Sequence, residues 1–244
     1  MDVKLLAHTQ VSKGFKAILH DAEQARLLMN CTDGQAIALS AIRTCYSANK
    51  PSEIVALEGE KYFKGKATDG KGGNEVDRLI RHIVGSGHTS TLEHLTYTFA
   101  VEGVSRALLA QLTRHRVGFS FSVQSQRYVK QSTDSRHGSF EFVIPERIEN
   151  DVDAERMFIQ AMNKAQLAYD LLIANGVPQE DARAVLPNAA TTNLVLTVNL
   201  RSLLDFYSKR RKGKGAQHEI TELAERLREE VVKVETWTDE FFKN

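Results

Sequence analysis

Between residues 95 and 112 the hydrophobic pattern changes period without a break. Leu95, Tyr97, Phe99 and Val101 alternate, as on a strand with one buried face. Val104, Leu108, Leu109 and Leu112 then recur at helical spacing. A strand feeding directly into a helix calls for a fold that mixes the two, which excludes a pure helical bundle and a pure β-sandwich. The helix runs out at Arg114-His115-Arg116, so three cationic or titratable side chains stand in a row at its C-terminal end.

That triplet lies in an unusual electrostatic setting. No Asp or Glu occurs between Glu102 and Asp134, although 26% of the chain is charged. The window holds Arg106, Arg114, Arg116 and Arg127, which cannot be neutralised locally and call for solvent or an anionic ligand. The planar guanidinium fork matches phosphate bidentately, so phosphate recognition is the first functional expectation. A helix C-terminus favours a cation by about 0.3–1 kcal/mol. That accounts for one Arg, not for the whole set.

The rest of the chain repeats the mixture. Lys4–His8 reads as a short strand and Ala36–Tyr46 as a helix, with a break at Pro51. Residues 59–74, rich in Gly and Lys, read as an exposed loop. Val76, Leu79, Ile80, Ile83 and Val84 mark a helix closed by Gly85-Ser86-Gly87. Phe140–Ile144 is strand-like, 151–175 a long helix, and Pro178 opens a short helix that ends by Pro187. Asn193–Asn199 reads as a buried strand, Leu200–Lys212 as a helix, and Gln217–Phe242 as a long amphipathic helix. The expected fold class is mixed α/β (α+β): a central twisted sheet with long flanking helices, in one domain over residues 1–244.

Bulk properties narrow the function. A formal charge of +1 makes the cationic window a local device and argues against bulk nucleic-acid binding. Two cysteines, Cys31 and Cys45, form no disulfide framework, which fits a reducing, cytoplasmic setting. No apolar run approaches the roughly 20 residues of a membrane span, and the N-terminal segment lacks a signal-peptide pattern. His88, Ser90, Glu93 and His94 match no zinc spacing, so they read as polar pocket lining with no metal expected. A second acid-free stretch, Ala182–Leu204, holds Arg183, Asn199 and Arg201. Asn199 suits either a heterocycle edge or a helix N-cap. Arg210, Arg211, Lys212 and Lys214 form a third basic group, of a kind that commonly is a solvated face.

Several of these elements, in this order, resemble the flavin-dependent thymidylate synthases. They include Ile42-Arg43-Thr44-Cys45-Tyr46-Ser47, Gly87-His88-Thr89-Ser90, Gln111-Leu112-Thr113-Arg114-His115-Arg116, Ser125-Gln126-Arg127-Tyr128, Ala182-Arg183 and Asn199-Leu200-Arg201-Ser202. The resemblance implies the thymidylate synthase-complementing fold and reductive methylation of dUMP to dTMP. Methylenetetrahydrofolate would supply the carbon and NADPH-reduced FAD the hydride, in a homotetramer with active sites shared between subunits. Carried over by position, Ser90, Arg114, His115, Arg116, Asn199, Arg201 and Asp205 are expected at FAD. Gln111, Arg114, Gln124, Ser125, Gln126, Arg127 and Arg183 are expected at dUMP. An Arg that favours ionisation of the uracil N3 is also implied. Counting forward from Phe206 gives Arg210, and counting back from Gln217 gives Arg211, so both stand as candidates.

The chain departs from the family pattern in three places. Val117–Gln124 puts eight residues between Arg116 and Ser125, one more than usual. Asp205 stands where an Asn or His is commoner, a position for a carboxylate only if Arg201 or Lys209 pairs with it. The 59–74 segment is added length. The competing readings are a nucleic-acid-binding module built on the basic clusters and an inactive, nucleotide-binding relative.

Overall fold

The computed structural model describes residues 1–19, 26–136 and 138–243. Four antiparallel strands form one sheet, β1 (Asp2–His8), β2 (Thr96–Ser105), β3 (Phe119–Val123) and β4 (Thr191–Asn199), in the spatial order β1-β2-β4-β3. The helices that matter for the site are α1 (Asp33–Thr44), α2 (Glu75–Gly85), α3 (Arg106–Leu112), α4 (Val152–Ala174), α5 (Leu200–Arg210) and α6 (His218–Val234). None of the described helices is long and apolar enough to cross a membrane.

The sheet buries one face. Tyr97, Phe99 and Val101 of β2 and Leu194, Leu196 and Val198 of β4 are buried, while the residues between them are more exposed. β4 therefore alternates and is not the fully buried strand its apolar sequence implied. The buried face packs with Leu39 and Ile42 of α1, Ile80 of α2, Leu108 of α3, Leu203 and Phe206 of α5, and Leu223 and Leu227 of α6 in one hydrophobic core.

Local chemistry sets where each helix starts. Thr32 and Gln35 form a capping box on α1, and Asn74 and Asp77 form one on α2. Ser105 Oγ accepts from Leu108 N at 3.0 Å, and Asn199 Oδ1 accepts from Ser202 N at 2.9 Å. Each such cap contributes about 0.5–2 kcal/mol. In both β2–α3 and β4–α5, the last strand residue is thus the cap of the next helix.

Four expectations need correction. Residues 59–64 are not loop: a π-helical turn over Glu60–Lys64 extends the Ile54–Gly59 helix and buries Tyr62 and Phe63. Only the part after Gly65 is irregular, closed by a Lys66–Asn74 bridge. Phe140–Ile144 makes a single bridge, Phe142 to Ala190, because it meets only the irregular segment ahead of β4. β3 falls where the sequence reading places no element: Phe119-Ser120-Phe121-Ser122-Val123 alternates as a strand does, with hydroxyls at the exposed positions. The C-terminal helix stops at Val234, not Phe242.

The break at Glu235 has a cause. Its carboxylate is 1% exposed and accepts from Thr32 Oγ1, from Gly34 N at 2.9 Å and from Trp237 Nε1 at 2.5 Å. It caps α1 from the far end of the chain, and leaving the helix lets it turn inward. Burial still pushes its pKa above the ordinary 4.5, against the pull of those three donors. The carboxyl therefore favours folding most fully below pH 4.5, and that contribution fades as pH rises through the raised folded value. Gly34 is required by contact, since a Cβ there would lie 2.5 Å from Glu235 Cδ. Gly34→Ala should lower the unfolding free energy by roughly 1–3 kcal/mol in urea titrations. An unchanged midpoint would contradict this packing.

Candidate functional site

α3 ends at the Thr113 cap, and Arg114-His115-Arg116 follow in irregular backbone held by His115 N donating to Leu112 O. The His115 ring sits edge-on to Phe206 at 5.0 Å and lies 6.0 Å from Phe119. Its Nε2 accepts from Arg210 Nε at 3.2 Å, which requires a neutral imidazole with its proton on Nδ1. Burial, then Arg210, Lys209 and Arg114, hold the His115 pKa below its ordinary value. Arg114 and Arg116 are exposed, and no carboxylate pairs with either among the described residues.

The chain between Arg116 and β3 turns at Gly118. Gly118 adopts φ +71°, its carbonyl accepts from Asn199 N at 3.2 Å, and a Cβ would lie 2.9 Å from Ser202 Cβ. Only glycine fits this turn against the start of α5. Beyond it, β3 pairs with β4 from Phe119–Val198 to Val123–Leu194 without a bulge. The Ser125–Arg127 segment follows directly from this regular pairing.

α5 supplies the other wall. Asn199 caps it through Oδ1, so the capping role expected as one alternative is present, with Nδ2 turned to the Gly118 turn. Arg201 Nη1 pairs with Glu93 Oε1 at 2.5 Å. Glu93 belongs to the 3-10 turn Thr89–His94, which carries Ser90 and packs on α5. Asp205 pairs with Lys209 at 2.7 Å, which answers the concern about an unneutralised carboxylate. Arg210 faces His115, whereas Arg211 Nη1 turns to Lys243 O at 3.3 Å. His88, next to this turn, shares a 2.9 Å hydrogen bond with Tyr46.

The second group lies at the opposite end of β3. Gln124 N donates to Asn193 O at 2.9 Å, and Asn193 Nδ2 donates to Gln124 Oε1 at 3.2 Å. Ser125 Oγ accepts from Arg127 N at 3.2 Å, and Gln126 is buried. Arg127 is not unneutralised, as its sequence neighbourhood implied: Nη2 pairs with Glu180 Oε2 at 2.8 Å. Arg183 Nε donates to Glu180 O at 3.1 Å. A cleft of about 500 Å³ opens here, lined by Arg127, Lys130, Pro178, Gln179 and Glu180 among others.

The expected residues therefore form two groups. His115, Arg116, Asn199, Arg201, Asp205 and Arg210 gather at the Asn199 end of the sheet, with Ser90 on the adjoining turn. Gln124, Ser125, Gln126, Arg127 and Arg183 gather at the Thr191 end. Five residues of β3 separate them, roughly 17 Å at about 3.4 Å per residue. Arg114, beside His115, belongs with the first group, and Gln111, whose Nε2 bonds Gln217 Oε1, lies on α3 between the two. Glu180 and the Gly118 turn were not singled out from sequence. Gly118 itself is the local signal for the turn, and nothing local signals Glu180. Among the described residues no cluster of three or more His, Cys, Asp or Glu could hold a metal.

The His115–Arg210 contact is measurable by NMR titration. His115 should titrate below 6.5, and Arg210→Ala should move it upward. Since the unfolded ring takes its proton more readily, this group should weaken folding as pH falls below 6.5. A midpoint at or above 6.5 that ignores the substitution would contradict the contact.

Residues 26–235 match the family model described as thymidylate synthase complementing protein. The flavin-dependent thymidylate synthase of Clostridium tetani is 34% identical over 227 residues, covering 86% of this chain and 83% of that one. The enzyme of the same name from Geobacter sulfurreducens is 39% identical over 198 residues, covering 81% and 77%. Among solved structures, thymidylate synthase X of Helicobacter pylori with FAD and dUMP superposes with a TM-score of 0.64 at 24% identity, covering 99% and 97%. The UMP/dUMP methylase PolB of Streptomyces cacaoi, bound with 5-Br dUMP, gives 0.67 at 23%, covering 99% and 94%. At those identities the structural likeness is one of fold, and it agrees with the mixed sheet-and-helix architecture. On the sequence matches, this chain belongs to the thymidylate synthase complementing proteins, the family of flavin-dependent thymidylate synthases.

Proposed function

We propose that this chain, as a single domain over residues 1–244, converts dUMP to dTMP by reductive methylation. Methylenetetrahydrofolate is the carbon donor, NADPH the reductant and FAD the resident cofactor. The observation that carries this reading is the cationic wall around His115: Arg114 and Arg116 without carboxylates, and Arg210 hydrogen-bonded to the ring. Such a wall suits a dinucleotide whose pyrophosphate needs several donors. Ser90, Asn199 and Arg201 border it, and the Asp205 charge is already taken up by Lys209.

When bound, reduced FAD supplies the hydride that completes the new methyl group. The chain's own residues bind, orient and polarise. Arg114, His115 and Arg116 hold the flavin nucleotide. Ser125, Gln126 and Arg127 wrap the dUMP phosphate, with Gln111, Gln124 and Arg183 completing that site. Arg210, fixed by His115, lies beside the uracil and favours ionisation of N3, which activates the ring carbon without an enzyme adduct. The cysteines fit this route: burial pushes the Cys31 thiol up to about 12, so it stays protonated at neutral pH. Both cysteines are free, as in a reducing cytoplasm.

The two groups of residues cannot meet within one chain across β3. This favours active sites assembled in a homotetramer, one chain giving the flavin wall and another the phosphate loop. Purified protein should be yellow, bleach with NADPH and release tritium from uracil-labelled dUMP. Arg210→Ala should abolish release while FAD remains bound, and Arg211→Ala should leave most of it. Full activity in Arg210→Ala would overturn the assignment. Flavin and dUMP binding without turnover in the wild type would mark an inactive relative.

A further inference from the structure

The end of α5 carries two pairs of side chains spaced four residues apart, and the pairs face different ways. Phe206 and Arg210 lie on the strip that meets His115, with the Phe206 ring edge-on at 5.0 Å and Arg210 Nε 3.2 Å from Nε2. Tyr207 and Arg211, one residue further round the helix, meet the end of the chain instead. The Tyr207 ring stands edge-on to Phe242 at 5.1 Å and 81°, and Arg211 Nη1 donates to Lys243 O at 3.3 Å. Beyond Arg211 the backbone leaves through an exposed turn in which Gly213 and Gly215 have positive φ. Such a turn gives the helix end little support, and a last turn without packing frays.

The segment that meets Tyr207 is itself firmly held. It comprises a 3-10 turn, Thr236–Thr238, and a short helix, Asp239–Phe242, with Trp237 and Phe242 buried. Asp239 accepts from Arg228 Nη2 at 2.8 Å, and Glu240 Oε1 accepts from Arg81 Nη1 at 2.9 Å. The same guanidinium donates to both carboxylate oxygens of Asp69, at 2.7 and 3.0 Å, and to Gly72 O at 3.1 Å. One nearly buried cation thus ties the end of the chain to the added loop after Gly65. The other side of Tyr207 joins the same network: its Oη donates to Glu225 Oε1 at 2.7 Å, and Glu225 Oε2 pairs with Arg228. The end of α6 at Val234 is what lets the chain return to this place.

We propose that this C-terminal segment is a positioning element, in which Phe242, packed on Tyr207, fixes the last turn of α5 and so aims Arg210 at His115. Phe242 acts through Tyr207 and is not a catalytic residue. A polarising side chain works only when held within about 0.5 Å of its productive place, so a loosened helix end should cost turnover more than binding. That kinetic consequence rests on the dUMP reading given above; the aim of Arg210 at His115 does not.

The test compares FAD-loaded wild type with Phe242→Ala and with Phe242→Leu, which fills most of the same space without the ring edge and serves if the alanine variant misfolds. Val101→Ala, at a buried position on β2, is the control for lost stability. The readouts are the NMR titration of His115, kcat and KM for dUMP in tritium release, flavin content and melting temperature. His115 is faced by Arg210, Lys209, Asp205 and Arg114, and of these Arg210 acts on it most. Phe242→Ala should therefore move the His115 midpoint upward, part of the way that Arg210→Ala moves it. It should lower kcat by about ten-fold or more, with KM and flavin content close to wild type. Phe242→Leu should show both effects in smaller measure, and Val101→Ala neither. An unmoved His115 midpoint in both Phe242 variants would overturn the proposal, whatever happens to turnover. So would equal changes in Val101→Ala at a comparable fall in melting temperature, or a loss carried by KM with kcat intact. A wild type that releases no tritium would sink the dUMP reading, and the His115 midpoints would still decide the proposal.

Discussion

The antiparallel pairing of β2 with β4 determines where every candidate residue lies. Its register runs from Thr96–Asn199 at one end to Ser105–Thr191 at the other. Each strand passes straight into a helix through its own last residue, Ser105 into α3 and Asn199 into α5. Because the strands run in opposite directions, the two helices begin at opposite ends of the sheet. α3 then runs back, delivers Arg114-His115-Arg116 to the start of α5, and the chain turns at Gly118 into β3. β3 carries it away again to Ser125 and Arg127. One hydrogen-bonded pair thus sorts the cations into two ends.

The two ends differ in how their charge is met. Arg201, Lys209 and Arg127 find carboxylates in Glu93, Asp205 and Glu180. Arg106, Arg114 and Arg116 find none among the described residues. The paired cations are exposed, and such pairs contribute little to stability, about 0–1 kcal/mol each. They fix orientation, while the unpaired ones keep guanidinium donors that no carboxylate among the described residues takes up. The neutral His115 between Phe206 and Arg210 adds a donor-oriented contact without a further positive charge. That suits a site crowded with guanidiniums.

Much of this was legible in the sequence because the signals were local. The change of period at residues 101–104, the Gly85-Ser86-Gly87 stop of α2 and the long helix read over 151–175 each rest on signals within a few turns. What was not legible depends on distant partners. Glu180 lies 53 residues from Arg127 and Glu93 lies 108 from Arg201, so no window around either Arg reveals them. Gln217–Phe242 keeps a helical pattern throughout, yet the helix ends where Glu235 turns to cap α1, 201 residues away at Gly34. β3 was missed for a different reason: serines at its exposed positions are as compatible with an edge strand as with a loop, and only pairing with β4 decides. In the site, the Arg-His-Arg and Ser-x-Arg groups were found, but their separation by the length of β3 was not. The choice between Arg210 and Arg211 required the side chain of His115.

In the proposed assembly, each active site draws its flavin wall from one chain and its phosphate loop from another. Subunit complementation tests this most directly. Arg210→Ala and Arg127→Ala chains, each inactive or nearly so in dUMP-dependent tritium release alone, are co-expressed and purified as mixed oligomers. Sites that combine an intact Arg210 from one chain with an intact Arg127 from the other should restore a substantial fraction of activity. Mixed oligomers that stay as inactive as their parents would contradict the account.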